Sequence, residues 1–342
     1  MPRAAEAPLY AEHARLAARS LLIALATAGE RLVAVGDRGV IVLSDDRGAS
    51  WVQADEVPTQ ALLTGVCFLD AQHGIAVGHD EVVVTSADGG RHWQRTHFAP
   101  EAQRPLLDVW CGSEGHAIAV GAYSAYLSST DGGATWKEVR FTPAPPPKSA
   151  TAPSATVRGE SRHSGGGGDD TAGEEAAAGG GYHLNRIVGD GGARLYIAGE
   201  AGHLYASDDG GSSWRTLSSP YEGSFFGMLP LEGDAVLAFG MRGNLFRSAD
   251  GGSSWQKIDT ATVAMLNGAA RLAAGGVAIV GLSGVVLVSR DDGHTFTLLQ
   301  QGDRAGLSAP LAVGAERLAA VGEDGAKVVS LIHGAANSGS PQ

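Results

Sequence analysis

The sequence predicts an all-β chain folded as a seven-bladed β-propeller with four-stranded blades, and three observations carry that expectation. A short phrase recurs six times, as SDDRGASW from Ser44, SADGGRHW from Ser86, STDGGATW from Ser129, SDDGGSSW from Ser207, SADGGSSW from Ser248 and SRDDGHTF from Ser289. Its serines stand 42, 43, 78, 41 and 41 residues apart, and a unit of that length holds four short strands. A second marker, a short β-type run ending in glycine, closes at Gly36, Gly78, Gly121, Gly199, Gly240, Gly281 and Gly322, which makes seven units.

Each element of a unit has its own justification. In the second, LLTGVCFLD reads as the inner strand, GIAVG as the next, EVVVTS as the third and HWQRT as the outer one. The Asp-Gly-Gly turn joins the third to the outer strand, because glycine supplies positive φ and an Asp carboxylate accepts backbone N–H groups across a tight turn. Asp46, Asp88, Asp131, Asp209, Asp250 and Asp291 are therefore read as structural. The aromatic residue that follows, Trp51, Trp93, Trp136, Trp214, Trp255 or Phe296, is expected between neighbouring blades; Trp110 alone among the tryptophans lies elsewhere.

The array makes residues 1–342 one domain. Residues 143–181 show no hydrophobic alternation and read as a flexible Pro/Gly-rich insertion between blades three and four, either a lid over a rim or a tolerated solvated loop. Residues 334–342 read as a disordered tail. The seventh unit, EDGAKVVSLI, has lost its phrase and its last strand, so part of Ala4–Arg15 is expected to pair with VVSLI and seal the ring. AEHARLAARS also reads as a short helix.

Composition narrows the partners. Lys plus Arg number 25 against 37 Asp plus Glu, and the net charge of −12 argues against nucleic acid. No apolar run is long enough to span a membrane as a helix. Arg15 and Arg19 before LLIALATAG mimic a signal peptide, but this run stands where the first inner strand belongs, so no export signal is read and a cytoplasmic location stays open. Counted back from their unit glycines, Cys67 and Cys111 are one residue out of phase, which sends them to opposite faces and favours two buried thiols over a disulfide. No metal-ligand spacing occurs among the histidines and cysteines, and no cofactor is implied.

Candidate binding residues follow from the topology. The Asp turns share one rim; the turns between second and third strands, with the links between blades, share the other. That second rim carries Asp37, Arg38, His79, Asp80, Tyr123, Glu200, Met241, Arg242, Leu282, Ser283, Glu323 and Asp324. Variation at equivalent positions of a repeat is what a grafted recognition surface looks like, although ordinary turn residues would vary too. Thr64, Asp108, Asn185 and Asn267 form a polar ring on the inner strands, read as lining a solvated channel, with Arg186 beside it. Tyr221, Phe225 and Phe226 lie in SSPYEGSFFG, either an anchoring pocket for a partner's chain end or packing between blades four and five.

The phrase resembles the Asp-box, or bacterial neuraminidase repeat, which implies a propeller and leaves activity open. A wider resemblance rests on AARSLLIALATAGERLVAVGDRGVIVLSDDRGASW, IAVGHDEVVVTSADGG, PLLDVW, AVGAYSAYLSSTDGG and SSPYEGSFFG. These look like the proteobacterial branch of the photosystem II stability/assembly factor family. That resemblance implies a non-catalytic, exported or periplasmic propeller that binds a protein partner, a membrane protein or its chain end; the chain itself is expected to be monomeric. The alternative is a sialidase-like glycoside hydrolase or a glycan-binding lectin. Such a hydrolase needs three arginines on one carboxylate and a Tyr–Glu nucleophile pair; Arg38, Arg186 and Arg242 are the nearest arginines, and none has that pairing in sequence.

Overall fold

A computed structural model describes residues 7–146 and 181–332. Seven antiparallel sheets follow one another along these residues, six of four strands and the last of three. The inner strands begin at Leu22, Leu63, Leu106, Leu184, Phe225, Leu266 and Leu307. Blade two runs Leu63–Phe68, Gly74–Gly78, Val83–Ser86 and Gln94–His97, as the sequence predicts.

The core is seven separate apolar clusters, one in each seam between adjacent blades. Alternation along a strand explains why the second strands read as unbroken apolar runs. In Gly74–Gly78, Ile75 and Val77 face blade three while Ala76 faces blade one, and all five residues are buried. Both faces of the strand are interior.

The repeated phrase makes one turn six times. In blade three, Ser129 Oγ donates to Asp131 Oδ1 (2.8 Å) and accepts the Gly133 N–H (2.9 Å). The same carboxylate accepts the Thr135 N–H (2.9 Å) and its hydroxyl (2.5 Å). Gly133 has φ 86°, and a Cβ there would stand 2.9 Å from Ile75 Cδ1 of the preceding blade, so the turn and the seam both require glycine. Each aromatic then enters the seam with the blade before it. Trp93 joins the cluster of blades one and two, and its Nε1 donates to Gly90 O (2.8 Å).

Three expectations are corrected. Cys67 and Cys111 form a disulfide, with Cα atoms 5.7 Å apart. They do point to opposite faces, Cys67 opposite Ile75 and Cys111 opposite Ala117 in their own sheets. Opposite faces of successive blades look at each other across a seam, however, and both residues join the cluster between blades two and three.

The last blade, Leu307–Gly314, Arg317–Gly322 and Gly325–Ser330, gains no strand from the N-terminal segment among the described residues. That segment instead runs along the outside of blade one. Ala11 N–H donates to Val57 O (2.9 Å), Ala14 N–H to Gln53 Oε1 (2.9 Å) and Gln60 Nε2 to Tyr10 O (2.8 Å). Among its described residues, a single 3-10 turn, Ala17–Arg19, reaches the last blade, over Gly325. The ring closes by side-chain packing of Leu22, Ala34 and Val42 on Ala309 and Val321.

The inner ring is the third correction. The first pairs of every inner strand skip one residue, a repeated β-bulge that falls at Thr64, Asn185 and Asn267 among others. These side chains do not stand free in a channel but bond to the next blade. Thr64 Oγ1 donates to Leu106 O (2.7 Å), Asn185 Nδ2 to Phe225 O (2.8 Å) and Asn267 Nδ2 to Leu307 O (2.8 Å). Asp108 accepts the Ile187 N–H (3.0 Å), also from the next blade. The predicted insertion 143–181 and tail 334–342 lie almost wholly outside the described residues; at the insertion's start, Ala144 bridges Arg215 of blade four.

Candidate functional site

The rim opposite the Asp turns is built from six tight turns whose central residue has left-handed φ. These are Arg38 (52°), Asp80 (60°), Tyr123 (54°), Ala201 (50°), Arg242 (56°) and Ser283 (58°). Two consecutive positive-φ residues match the right-handed twist of the flanking strands and throw the first side chain outward. The following position is glycine in four of these turns, at Gly39, Gly202, Gly243 and Gly284.

Blade two departs from that pattern with Glu81 at φ 48°. Its side chain is buried, accepts Arg104 Nε (2.8 Å), and through Arg104 joins Glu138 on blade three (2.7 Å). His97 Nε2 lies 3.4 Å from its other oxygen. Sequence reasoning missed Glu81; the break in the x-Gly pattern was its only signal.

The predicted rim residues divide into two sets. Asp37 and Arg38 are side by side (3.8 Å) and line a groove of about 510 Å³ with Glu12, Ser20 and Gln60. Asp80 lines a second groove of about 370 Å³, with Leu9, Gln60, Arg95 and Phe98. Gln60 borders both, so the N-terminal segment and the turns of blades one and two form one furrowed patch. His79 belongs to the same turn as Asp80. Tyr123 stands exposed with its ring edge on His183 (5.0 Å), and beside it Tyr182 stacks on His203 (3.7 Å). Arg242 and Met241 share the turn of blade five.

The other set is spent inside the fold. Glu200 holds the His183 N–H (2.8 Å) and Glu323 the Gly306 N–H (2.8 Å), each fixing an interblade link. Asn185 bonds Phe225 O, as above. Phe225 is fully buried, edge-on to Tyr221 (6.0 Å), and both belong to the seam of blades four and five. The pocket reading of Tyr221 and Phe225 is therefore corrected to packing. Trp110 likewise packs in the seam of blades three and four.

Arg186 lies on the inner strand of blade four, 3.7 Å from Asp108. Burial pushes the Asp108 carboxyl above its usual range, against the pull of Arg186 and the Ile187 N–H. The three arginines that a sialic-acid clamp would need are not brought together: Arg186 pairs on an inner strand, while Arg38 and Arg242 sit on turns of blades one and five. The Asp-turn carboxylates are saturated by their own loops, as at Asp46 with Ser44, Ser50 and the Ser50 N–H. No group of three His, Cys, Asp or Glu able to hold a metal occurs among the described residues.

Leu9, Phe98, Tyr182, Met241 and Val263 also expose apolar surface on the N-terminal segment, the interblade links and the turn of blade five. Fold and rim together define a class: a seven-bladed Asp-box propeller whose repeated motif is structural and whose varied side chains gather on the opposite rim. Residues 43–152 match the family model described as photosynthesis system II assembly factor YCF48. The fold agrees with solved structures. YCF48 bound to a D1 peptide superposes with a TM-score of 0.67 at 14% identity, over 96% of this chain and 100% of that one. YCF48 from Cyanidioschyzon merolae gives 0.65 at 17%, over 94% and 98%. The Cps50 (Swd1) propeller of Myceliophteria thermophila gives 0.64 at 14%, over 92% and 97%. None of the curated proteins compared with the chain matches it. The chain is thus similar to the photosystem II assembly factor family, as its sequence resemblance implies.

Proposed function

We propose that this propeller is a non-catalytic protein-binding platform, an assembly or stability factor for a membrane-associated protein complex, and that it holds its client on the rim of interblade links. The observation that carries this reading is the composition of that rim. Equivalent turns present Arg38, Asp80, Tyr123 and Arg242 at one backbone geometry, flanked by exposed Leu9, Phe98 and Met241. A rigid ring that varies only its outward side chains is suited to reading another polypeptide. The similar YCF48 propeller bound to a D1 peptide supports a polypeptide client.

The Cys67–Cys111 bond supports an oxidising compartment, and so export to the periplasm, because thiols are kept reduced in the cytosol. No helix among the described residues is long and apolar enough to cross a membrane.

The test is affinity capture from the native envelope with the wild-type chain, the rim variant Tyr123→Ala/Arg242→Glu, and the opposite-rim variant Arg47→Glu. A client retained by the wild type and Arg47→Glu but lost from the rim variant supports the reading. Equal capture by all three sinks it, as does turnover of fluorogenic sialosides that disappears with Arg38→Ala.

A further inference from the structure

Six of the seven seams are filled by the aromatic residue that follows an Asp turn, and the seventh is not. In the seam of blades one and two, Trp93 packs in one cluster with Leu43 of the third strand and Ala54, just beyond the outer strand. Aligned on the box serines Ser44 and Ser289, the counterparts of Leu43 and Ala54 in blade six are Val288 and Leu299. Among the described residues, blade seven has no Asp turn to send an aromatic residue between them.

A cavity of about 390 Å³ lies at that place, lined by Val288, Asp291, Thr297, Leu299, Leu331 and Ile332. Leu331 is buried at its floor and Ile332 is exposed at its mouth. The cavity is of the size that ligand sites occupy.

Beside it the third strand of blade seven, Gly325–Ser330, pairs only with Arg317–Gly322 among the described residues. The Ala17–Arg19 turn covers its start at Gly325. The far edge keeps the backbone donors and acceptors that an outer strand satisfies in every other blade. Residues 333–342, HGAANSGSPQ, contain no Trp, Phe, Tyr, Leu, Ile or Val with which to fill the slot.

We propose that the seam of blades six and seven is a second peptide site, taking an extended polypeptide segment that pairs with the edge of Gly325–Ser330 and inserts an aromatic side chain between Val288, Leu299 and Leu331. The six filled seams specify the occupant: a strand with one aromatic residue at its start. Backbone pairing supplies affinity and the slot supplies selectivity, the division of labour of strand addition. The site is separate from the interblade rim and does not depend on the client held there.

The test uses the whole chain and a labelled synthetic peptide with the sequence of residues 86–98, which holds a box turn and Trp93, read by fluorescence anisotropy. Saturable binding is expected, weakened about tenfold or more by alanine in place of the peptide's tryptophan, because a buried aromatic anchor carries most of such an interface. Leu299→Glu in the protein should weaken it equally. Thr297→Arg, at the exposed mouth, provides a second block if Leu299→Glu does not fold. Tyr123→Ala on the rim should leave it unchanged, which separates this site from the rim.

Absence of binding to the folded protein overturns the proposal, and so does equal binding of the alanine peptide. Binding that appears only after residues 333–342 are removed assigns the slot to the chain's own tail. A dimer dissolved by Leu299→Glu assigns it to a second copy. Either result also overturns the proposal.

Discussion

Cys67 and Cys111 join the inner strands of blades two and three, 44 residues apart in sequence, at the end of those strands away from the interblade links. The bond closes a loop spanning a whole blade. The chain-entropy description puts a loop of this length at about 4 kcal/mol, and disulfides typically contribute about 2–4 kcal/mol. Replacing both residues by alanine is expected to lower unfolding stability by that amount in urea, and a reductant should lower the wild type to the same midpoint while leaving the variant unmoved. Unchanged wild-type stability under reduction, with both thiols then alkylated, would contradict it.

The Asp turns predict acid sensitivity. The hydroxyls of Ser50, Thr135 and Thr295, then the backbone N–H groups of the same residues, hold Asp46, Asp131 and Asp291 down to about 2 from the usual 3.8. A carboxylate depressed in the folded state contributes stability that is complete above the unfolded value and lost as pH falls through the folded one. The contribution of these turns to stability should therefore be constant above about pH 5 and be lost steeply between about pH 4 and 2. Thermal melts followed by circular dichroism across that range check it. The variant Asp131→Asn should fall less steeply, from a lower plateau.

Trp93 is nearly inaccessible at 3% exposure and bonds Gly90 within its own turn. Trp93→Ala should cost about 3–5 kcal/mol, as expected for a large aromatic removed from a core. Trp93→Phe should recover most of this, since the ring remains and only the N–H bond is lost. Urea denaturation of the two variants decides it: equal losses would mean that the hydrogen bond, not the ring, holds the seam.

Much of this was legible in the sequence because a repeat states each rule several times. Seven glycine-ended runs gave seven blades, and Asp131 could be assigned to a turn because Asp46 and Asp291 stand in the same frame. What was not legible depends on how one blade meets the next. Counting Cys67 and Cys111 to opposite faces was correct, yet whether opposite faces meet depends on blade stacking, which a period-two pattern does not encode. Thr64 and Asn185 read as channel residues because the bulge that turns them toward the next strand leaves no mark in composition. For Phe225 the sequence left a pocket and interblade packing both open, because its position at a strand start says nothing of how Tyr221 and Phe246 cover it. The N-terminal segment was assigned to the one open edge in the ring, and it lies instead along blade one, where Gln53 and Gln60 offer side-chain partners as well as backbone.

That course of the N-terminal segment changes the expected effect of truncation. Removing residues 1–15 takes away hydrogen bonds to Val57, Gln53 and Gln60 at the surface and leaves the seam of blades seven and one intact. Melting temperature should fall by only a few degrees, as for loss of a few exposed hydrogen bonds. Both grooves that border Gln60 should be altered, so client capture should suffer more than stability. Scanning calorimetry beside the envelope capture assay reads both, and a collapse of the fold on truncation would show that the segment seals the ring after all.

Asp108 gives the opposite pH signature from the Asp turns. Its carboxyl is buried, its affinity for a proton is raised by that burial, and it accepts the Ile187 N–H across a seam while Arg186 stands 3.7 Å away. A group whose folded pKa is raised contributes stability that is present below its unfolded value and lost as pH rises through the folded one. Asp108→Asn keeps an acceptor for the Ile187 N–H and removes the buried charge, so at pH 7 the variant should be as stable as the wild type or more so. Asp108→Leu leaves that N–H unpaired and should cost about 1–3 kcal/mol. Urea midpoints at pH 4 and pH 7 separate the terms: the advantage of Asn over Asp should grow with pH, whereas the penalty of Leu relative to Asn should not change. If Asn is instead the less stable at pH 7 by as much as Leu, the ion pair with Arg186 outweighs the cost of burying the charge.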